Sequence, residues 1–224
     1  MASNASVFAA EAVGTFFLTF FGAGAILQNT SMGAAGYGLL GIALAHGIAL
    51  SIAITAAGAT SGGHINPAVS IALAASGKVP WPRVPLYIVA QVFGSAVAAF
   101  FLTRIFSADV VTTAGLGTPA PAAGVSFATV IFLEAVMTFL LVWAVCGTAV
   151  DPRAPKIGGF GIGLAVFVDI LVGGPITGAS MNPARSIGPA LVSGVWTMHA
   201  AYWIGPIVGG VLASLLYKAF LEKA

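Results

Sequence analysis

The feature that most constrains the fold of this chain is a short stretch that occurs twice. Residues 62–70 read GGHINPAVS and residues 178–186 read GASMNPARS, so an Asn-Pro-Ala tripeptide stands at a corresponding place in each half. Each tripeptide is typical of a helix start, because asparagine can cap an orphan backbone N–H and proline fits the first helical position. The residues concerned are Asn66, Pro67, Ala68, Asn182, Pro183 and Ala184.

Both predicted helices are short. The run that follows Asn66 ends near Ser76, and the run that follows Asn182 ends near Ser193. About ten residues of helix rise about 15 Å, which is half the hydrocarbon thickness of a bilayer. If the protein lies in a membrane, the doubled stretch therefore predicts two half-spanning helices.

Composition places the protein in a membrane. Hydrophobic residues make up 59% of the chain and charged residues 6%, with a mean hydropathy of +1.05, whereas about a quarter of the residues in soluble domains are charged. The net charge of +2 and the scattered basic residues argue against a nucleic-acid partner. The single Cys146 excludes an internal disulfide and a cysteine-based metal site, and we expect it to be a small buried hydrophobe.

Six apolar runs are long enough to cross a bilayer. They cover residues 7–28, 38–58, 84–105, 126–149, 157–175 and 199–220. In a six-span arrangement most of the basic residues fall on one side, namely Lys78, Arg83, Arg153, Lys156, Lys218 and Lys223. Because lysine and arginine accumulate on the cytoplasmic side of membrane proteins, this asymmetry predicts that both termini are cytoplasmic.

The chain also repeats itself. AEAVGTFFL matches LEAVMTFLL, and YIVAQVFGS matches YWIGPIVGG, at residues 10–18, 133–141, 87–95 and 202–210. Each repeat, 1–110 and 120–224, holds three spans and one half-helix. An odd number of spans makes the two copies inverted in the membrane, and folds of this kind place their working site at the midplane, where the repeats meet.

Two glutamates, Glu11 and Glu134, occupy equivalent places in spans one and four. An intramembrane carboxylate is a candidate for a proton relay. We favour a structural role, in which each accepts hydrogen bonds from the loop that leads into its half-helix, because irregular backbone in a membrane needs partners. We expect His64 to support the first loop. Asp169 is a further intramembrane acid, and we expect it to point away from the pore toward a neighbouring helix or subunit.

Two facing half-helices would bring their positive dipole ends together at the midplane. Each end carries about half an elementary charge, so the pair opposes a cation or proton while its N–H groups can orient a neutral polar molecule. The asparagine side chains can cap their helices through oxygen and donate into the lumen through the NH₂ group. These features predict a pore for small neutral solutes.

These motifs resemble those of the aquaporin (major intrinsic protein) family. The resemblance rests on the two NPA boxes, the AEAVGTF and LEAVMTF segments and the YWIGP segment, and it extends over essentially the whole chain. It implies an all-α membrane protein with six transmembrane helices and two half-spanning re-entrant helices, forming one channel domain over residues 1–224. It also implies a homotetramer in the lipid bilayer, with one pore per subunit and no cofactor or metal.

In that family four positions line a constriction beside the NPA boxes. Counting from the two asparagines gives His46, Ile170, Ala179 and Arg185. Water channels of the family typically carry phenylalanine and histidine at the first two positions, so this set is more similar to the tonoplast intrinsic subgroup. The resemblance implies that ammonia, urea or hydrogen peroxide passes together with water. Glycerol facilitators, the alternative subgroup, have an aromatic pair in the filter and an acid after the arginine, where this chain has Ser186.

Other functional classes fit less well. An ion-coupled transporter would need charged coupling sites, whereas the midplane here offers asparagines and helix dipoles. An enzyme would need a nucleophile with a positioned base, a metal cluster or a phosphate loop, and the sequence contains none of these patterns. We therefore expect a multi-pass membrane channel, and favour a plasma or inner membrane over a vacuolar-type one.

Overall fold

The computed structural model describes residues 2–155 and 157–222. Within these ranges the protein is helical, without a β-strand. Its helices are α1 (Asn4–Met32), α2 (Gly38–Ser61), α3 (Pro67–Ala75), α4 (Val84–Ile105), α5 (Ala108–Thr113), α6 (Phe127–Val145), α7 (Gly158–Thr177), α8 (Pro183–Ser193) and α9 (Ala201–Phe220). Lys156 and Lys223, which contributed to the charge asymmetry, lie outside the described residues.

Six of these helices, α1, α2, α4, α6, α7 and α9, are long and apolar enough to cross a membrane. The predicted all-α fold with six spans is confirmed. The largest difference in bounds is at α1, which begins at Asn4 because the Ser3 side chain accepts a hydrogen bond from the backbone N–H of Ser6. Hydropathy alone misses this polar first turn.

The two short helices α3 and α8, nine and eleven residues long, are the predicted half-spans. In both, an asparagine side chain caps the first turn and a proline takes the first helical position, as the doubled stretch predicts. The end of α3 meets the end of α9, where the Lys218 ammonium donates to the carbonyl of Ser76. We call this end of the protein, where α1 begins and α9 finishes, the termini side; α8 ends on the opposite side, where Ser193 contacts Thr118.

In each repeat a glycine allows two helices to cross closely: α1 with α4 in the first repeat, and α6 with α9 in the second. A side chain at Gly94 of α4 would collide with the backbone of Ala12 in α1, and one at Gly209 of α9 would collide with the backbone of Ala135 in α6. Both pairs therefore pack through their backbones, as expected for small residues at helix interfaces in a membrane. The helices α4 and α9 also hold the half-helices α8 and α3 in place.

The connection between the two repeats contains local structure that the sequence did not predict. It forms the short helix α5 and then a tight turn at Gly115–Gly117, in which Leu116 has a φ of 54° and Gly117 a φ of 68°. Leu116 is fully buried, and Gly117 lies so close to Ala23 that a Cβ at position 117 would come within 2.8 Å of the alanine Cβ. The turn therefore reaches inward to the end of the bundle opposite the termini side.

On the termini side, the loop after α6 is tied to α9. The Asp151 carboxylate accepts hydrogen bonds from the Arg153 side chain at 2.7 and 3.0 Å, from the Arg153 backbone N–H at 2.9 Å and from the Tyr217 hydroxyl at 3.2 Å. The Arg153 guanidinium also donates to the carbonyl of Leu221. The hydrogen bonds from Arg153 hold the pKa of Asp151 well below its ordinary value.

We expect this tie to persist in mild acid. A carboxylate whose pKa is lowered in the folded state stabilises the fold above its ordinary pKa of about 3.9 and loses that effect only as the pH falls through the lowered value. Amide protection of Asp151, Arg153 and Ala154 in hydrogen exchange should therefore be equal at pH 7 and pH 5. Asp151→Asn and Arg153→Ala should each lower it several-fold at both pH values; unchanged protection in either variant would contradict the role of the pair.

Candidate functional site

The loop that leads into α3 is held by Glu11. Its carboxylate, which is fully buried, accepts from the backbone N–H of His64 at 2.9 Å and of Ile65 at 2.6 Å. It also accepts from the Ser61 hydroxyl at 2.6 Å and the Gln91 amide at 2.7 Å. Four donors thus converge on one carboxylate: two backbone N–H groups of the loop, a hydroxyl at the end of α2 and an amide on α4.

Glu134 holds the loop that leads into α8 in the same way. This second fully buried carboxylate accepts from the backbone N–H of Ser180 at 3.0 Å and of Met181 at 2.7 Å, and from the Thr177 hydroxyl at 2.7 Å. These three donors are the repeat equivalents of Ser61, His64 and Ile65 on Glu11, whereas Gln91 has Pro206 at the corresponding place. The arrangement fits the loop-supporting role of both glutamates better than a proton relay, because every one of these hydrogen bonds is donated to the carboxylate by the loop or its neighbours.

His64 packs behind the first loop. Its Nδ1 lies 3.0 Å from the Ser70 hydroxyl, and its ring stacks on Tyr87 with centroids 4.2 Å apart. The Tyr87 hydroxyl in turn donates to the carbonyl of Ser61 at 2.6 Å. His64 is thus held by α3 and α4, and it also borders the internal cavity described below.

The N-termini of the two half-helices meet in the middle of the molecule. Asn66 Oδ1 accepts from the N–H of Ala68 at 2.8 Å, and Asn182 Oδ1 from the N–H of Ala184 at 3.0 Å. Each NH₂ group then crosses to the other repeat: Asn66 Nδ2 donates to the carbonyl of Met181, and Asn182 Nδ2 to that of Ile65, both at 2.8 Å. One N–H of each amide is therefore used to join the repeats, and one is left for the lumen.

An internal cavity with an empty volume of about 430 Å³ runs past this junction. Its wall is mainly apolar and comes from α1, α2, α6 and α7, with a few polar side chains: His46, His64, Asn66, Ser180, Asn182 and Arg185. Toward the termini side it shares lining residues, among them Ile54 and Val145, with an open vestibule of about 1660 Å³. The half-helices thus begin beside a narrow passage that widens at one end.

The four predicted constriction residues, His46, Ile170, Ala179 and Arg185, all line this cavity. Ile170 lies on α7, and Ala179, with a φ of 43°, lies in the loop before α8. Both present small or branched apolar side chains. The polar surface of this part of the cavity therefore comes from the other two residues.

Arg185 and His46 are hydrogen-bonded to each other. The Arg185 guanidinium donates from Nη1 to the carbonyl of Gly117 at 2.7 Å, and its Nη2 lies 3.2 Å from His46 Nε2. His46 Nδ1 lies 2.9 Å from the carbonyl of Ile42, which can only accept. These partners assign the neutral tautomer, with the proton on Nδ1 and the lone pair of Nε2 accepting from arginine. Arg185 Nε has no partner among the described residues.

The sequence did not predict that the carbonyl of Gly117 belongs to the site. A carbonyl has no side-chain signature, and the role of this one depends on a turn folding back onto the bundle. The closely spaced Gly115 and Gly117 could have indicated the turn, because both adopt positive φ values that favour glycine.

Asp169 points away from the cavity, as expected from the sequence. It does not line the cavity, it is 5% exposed, and Gly173 on the next turn of the same face packs against Met137 of α6. Its Oδ2 has no hydrogen-bond partner in the described part of the chain. A buried polar atom without a partner is a cost to the fold.

We therefore expect Asp169→Leu to raise the free energy of unfolding, by about 1 kcal/mol, because an apolar side chain of similar size leaves no polar atom without a partner. Flux through the protein should be unchanged, since Asp169 is not part of the cavity wall. Thermal unfolding in detergent measures the stability, with Asp109→Leu on the exposed helix α5 as the matched control. A fall in the unfolding temperature for Asp169→Leu alone would show that the carboxyl group is needed.

Comparison with known proteins gives consistent results. Residues 2–217 match the sequence profile of the family described as Major intrinsic protein. The chain is 44% identical to aquaporin TIP4-4 of Zea mays over 93% of its own length and 83% of that protein. It is also 44% identical to aquaporin AqpM of Methanothermobacter thermautotrophicus, over 93% and 94% of the two chains. The X-ray structure of the aquaglyceroporin from Plasmodium falciparum has the same fold, with a TM-score of 0.88 at 23% identity and coverage of 98% and 97%.

Proposed function

The chain belongs to the major intrinsic protein family, a family of membrane channels, and from this premise we propose that it conducts water passively, together with small neutral solutes, and excludes ions and protons. The observation that carries the proposal is the cavity of about 430 Å³ in which both half-helices begin and to which Arg185 contributes. The multi-pass arrangement follows from the six apolar helices.

Exclusion of cations follows from the charges along the passage. Two helix N-termini, each equivalent to about half a positive charge, meet at Asn66 and Asn182, and the Arg185 guanidinium adds a full positive charge on one side of them. No carboxylate lies among the cavity-lining residues of the described chain. A cation would therefore lose its hydration shell without meeting a compensating negative group.

The solute range follows from the constriction. Both ring nitrogens of His46 are engaged, with Ile42 and Arg185, so the imidazole has no N–H left to donate to a solute. The Arg185 guanidinium has five N–H groups and uses one on Gly117 and one on His46, so arginine still has donors to offer in a cavity that the apolar Ile170 and Ala179 also line. A narrow site with a donor and an apolar wall suits small molecules that accept a hydrogen bond, which supports ammonia, urea or hydrogen peroxide in addition to water.

A glycerol facilitator is the alternative within the family, and the similarity to an aquaglyceroporin structure concerns the fold alone. It is disfavoured because Ile170 and Ala179 are not aromatic and Ser186 follows Arg185. An ion-coupled transporter would require a flux that depends on a proton gradient.

We further propose that residues 1–224 form a single channel domain of two repeats, 1–110 and 120–224. Both termini face the cytoplasm in a plasma or inner membrane, with a vacuolar-type membrane as the alternative. By its family, four copies assemble in the lipid bilayer, each with its own pore.

The proposal is tested with purified protein in liposomes, by stopped-flow measurement of water, ammonia, urea and glycerol permeation. Water and ammonia should pass faster than in empty liposomes and glycerol should not. His46→Phe should reduce ammonia and urea permeation more than water permeation, because a bulkier ring replaces the imidazole. Water permeation no faster than in empty liposomes would contradict the channel function, and identical solute profiles for the two proteins would remove His46 from the constriction.

A further inference from the structure

The imidazole of His46 lies directly against a glycine of α1, a helix that supplies none of the four constriction residues. A Cβ added at Gly22 would stand 2.5 Å from Cδ2, 2.6 Å from Nε2 and 3.1 Å from Cε1 of the His46 ring. Such distances are shorter than any van der Waals contact, so the ring occupies the space that a side chain at position 22 would need. Only glycine at this position leaves room for the ring as it lies.

The ring is fixed on its other edges by hydrogen bonds. Nδ1 is bound to the carbonyl of Ile42, one turn earlier on α2, and Nε2 to the guanidinium of Arg185 on α8. The same ring lines the cavity. It therefore lies between α1 and the passage, and any displacement away from α1 moves it toward the passage or away from Arg185.

We propose that Gly22 is a positioning residue for the constriction: by having no side chain, it lets the His46 ring lie back against α1, which keeps the passage open and keeps Nε2 within reach of Arg185. The inference rests on the proposed channel function and deepens it. A methyl group at position 22 would have to push the ring by about 1 Å to restore a normal carbon contact. The passage would narrow, and the hydrogen bond that holds the guanidinium would be broken or bent.

The test is a set of four variants in liposomes. Gly22→Ala should lower water permeability by about tenfold, and urea permeability by more, because a displaced ring obstructs a larger solute more. His46→Ala is the reference for a constriction that lacks the ring, and its own permeability is measured and not assumed. The double variant Gly22→Ala with His46→Ala should match His46→Ala within about twofold, because the added methyl group then meets no ring. Gly24→Ala, two residues along α1, is the matched control: its Cβ would meet only the end of the Leu102 side chain, at 3.3 Å.

The double variant keeps the test decisive if Gly22→Ala fails to fold. Recovery of folded, conducting protein in the double variant supports the proposal, since only the missing ring differs. The proposal is overturned if Gly22→Ala conducts like the wild type, or if the methyl group is as harmful without the ring as with it.

A second readout does not depend on flux. The chain contains three histidines, and nitrogen NMR of labelled imidazoles should show a changed signal for His46 in Gly22→Ala while His64 and His199 keep theirs. An unchanged His46 signal would overturn the positioning role. If the His46 signal changed in Gly22→Ala while the wild type itself conducted no water, the positioning role would stand and the proposed function would fail.

Discussion

Replacing Glu134 with alanine is expected to remove several kcal/mol of stability and abolish water flux. The variant leaves the N–H groups of Ser180 and Met181 and the hydroxyl of Thr177 without their acceptor in a buried site. Each buried donor without a partner costs about 1–3 kcal/mol, which together approaches the whole stability of many proteins. Flux should fail because the same loop positions Asn182 and the start of α8. Thermal unfolding in detergent and stopped-flow water permeation measure the two effects.

Glutamine is not a conservative substitute at this site. All the groups that contact the Glu134 carboxylate donate to it, so in Glu134→Gln the NH₂ half of the new amide would face an N–H or O–H group. We expect Glu134→Gln to be intermediate between alanine and the wild type. The matched control is Glu222→Gln, whose carboxylate pairs with Lys78 near the surface and should change stability by about 1 kcal/mol or less. Equal unfolding temperatures for Glu134→Ala and Glu222→Gln would refute the loop-supporting role.

Replacing Arg185 with valine should make the channel leaky to protons and admit larger solutes. The variant removes a full positive charge from the cavity wall and releases both His46 and the carbonyl of Gly117. A positive charge raises the energy of a cation about 4 Å away by about 4 kcal/mol at an effective dielectric constant of 20. The two helix ends remain in the variant, but they supply only part of this barrier. Proton conductance, measured with a pH-sensitive dye inside liposomes, should therefore rise by about tenfold or more. Glycerol permeation should become measurable.

Arg185→Lys separates charge from geometry. The ammonium keeps the positive charge, so protons should still be excluded, but a single nitrogen cannot reach the Gly117 carbonyl and His46 Nε2 as the guanidinium fork does. We expect a changed ratio of urea to water permeation with no added proton leak. If both variants excluded protons equally well, the helix ends would be sufficient for exclusion and the charge of Arg185 would have no part in it.

The parts of the fold that depend on local sequence were predicted well. The half-helices α3 and α8 were predicted because capping by Asn66 and Asn182 and a proline at the first helical position are interactions within a few residues. The six spans were predicted because a bilayer requires a run of about 20 apolar residues. The connection between the repeats was not predicted, because its residue pattern does not indicate α5, and the two glycines at 115 and 117 suggest a turn without showing where that turn packs.

The same distinction applies to the candidate site, where some features were predicted from the sequence and others were not. Counting from the two asparagines to the positions that line the constriction in the family placed His46 and Arg185 on one passage, and this step depended on the resemblance to that family. The sequence by itself thus determined the class of membrane fold, the half-helices and the residue types available at the constriction. Only the tertiary structure decided that the His46 imidazole is held by Ile42 and Arg185, that the carbonyl of Gly117 fixes the guanidinium, and that Gly22 leaves space for the ring. Those contacts join residues from three or more helices, and they involve a carbonyl and an absent side chain, neither of which has a local sequence signal.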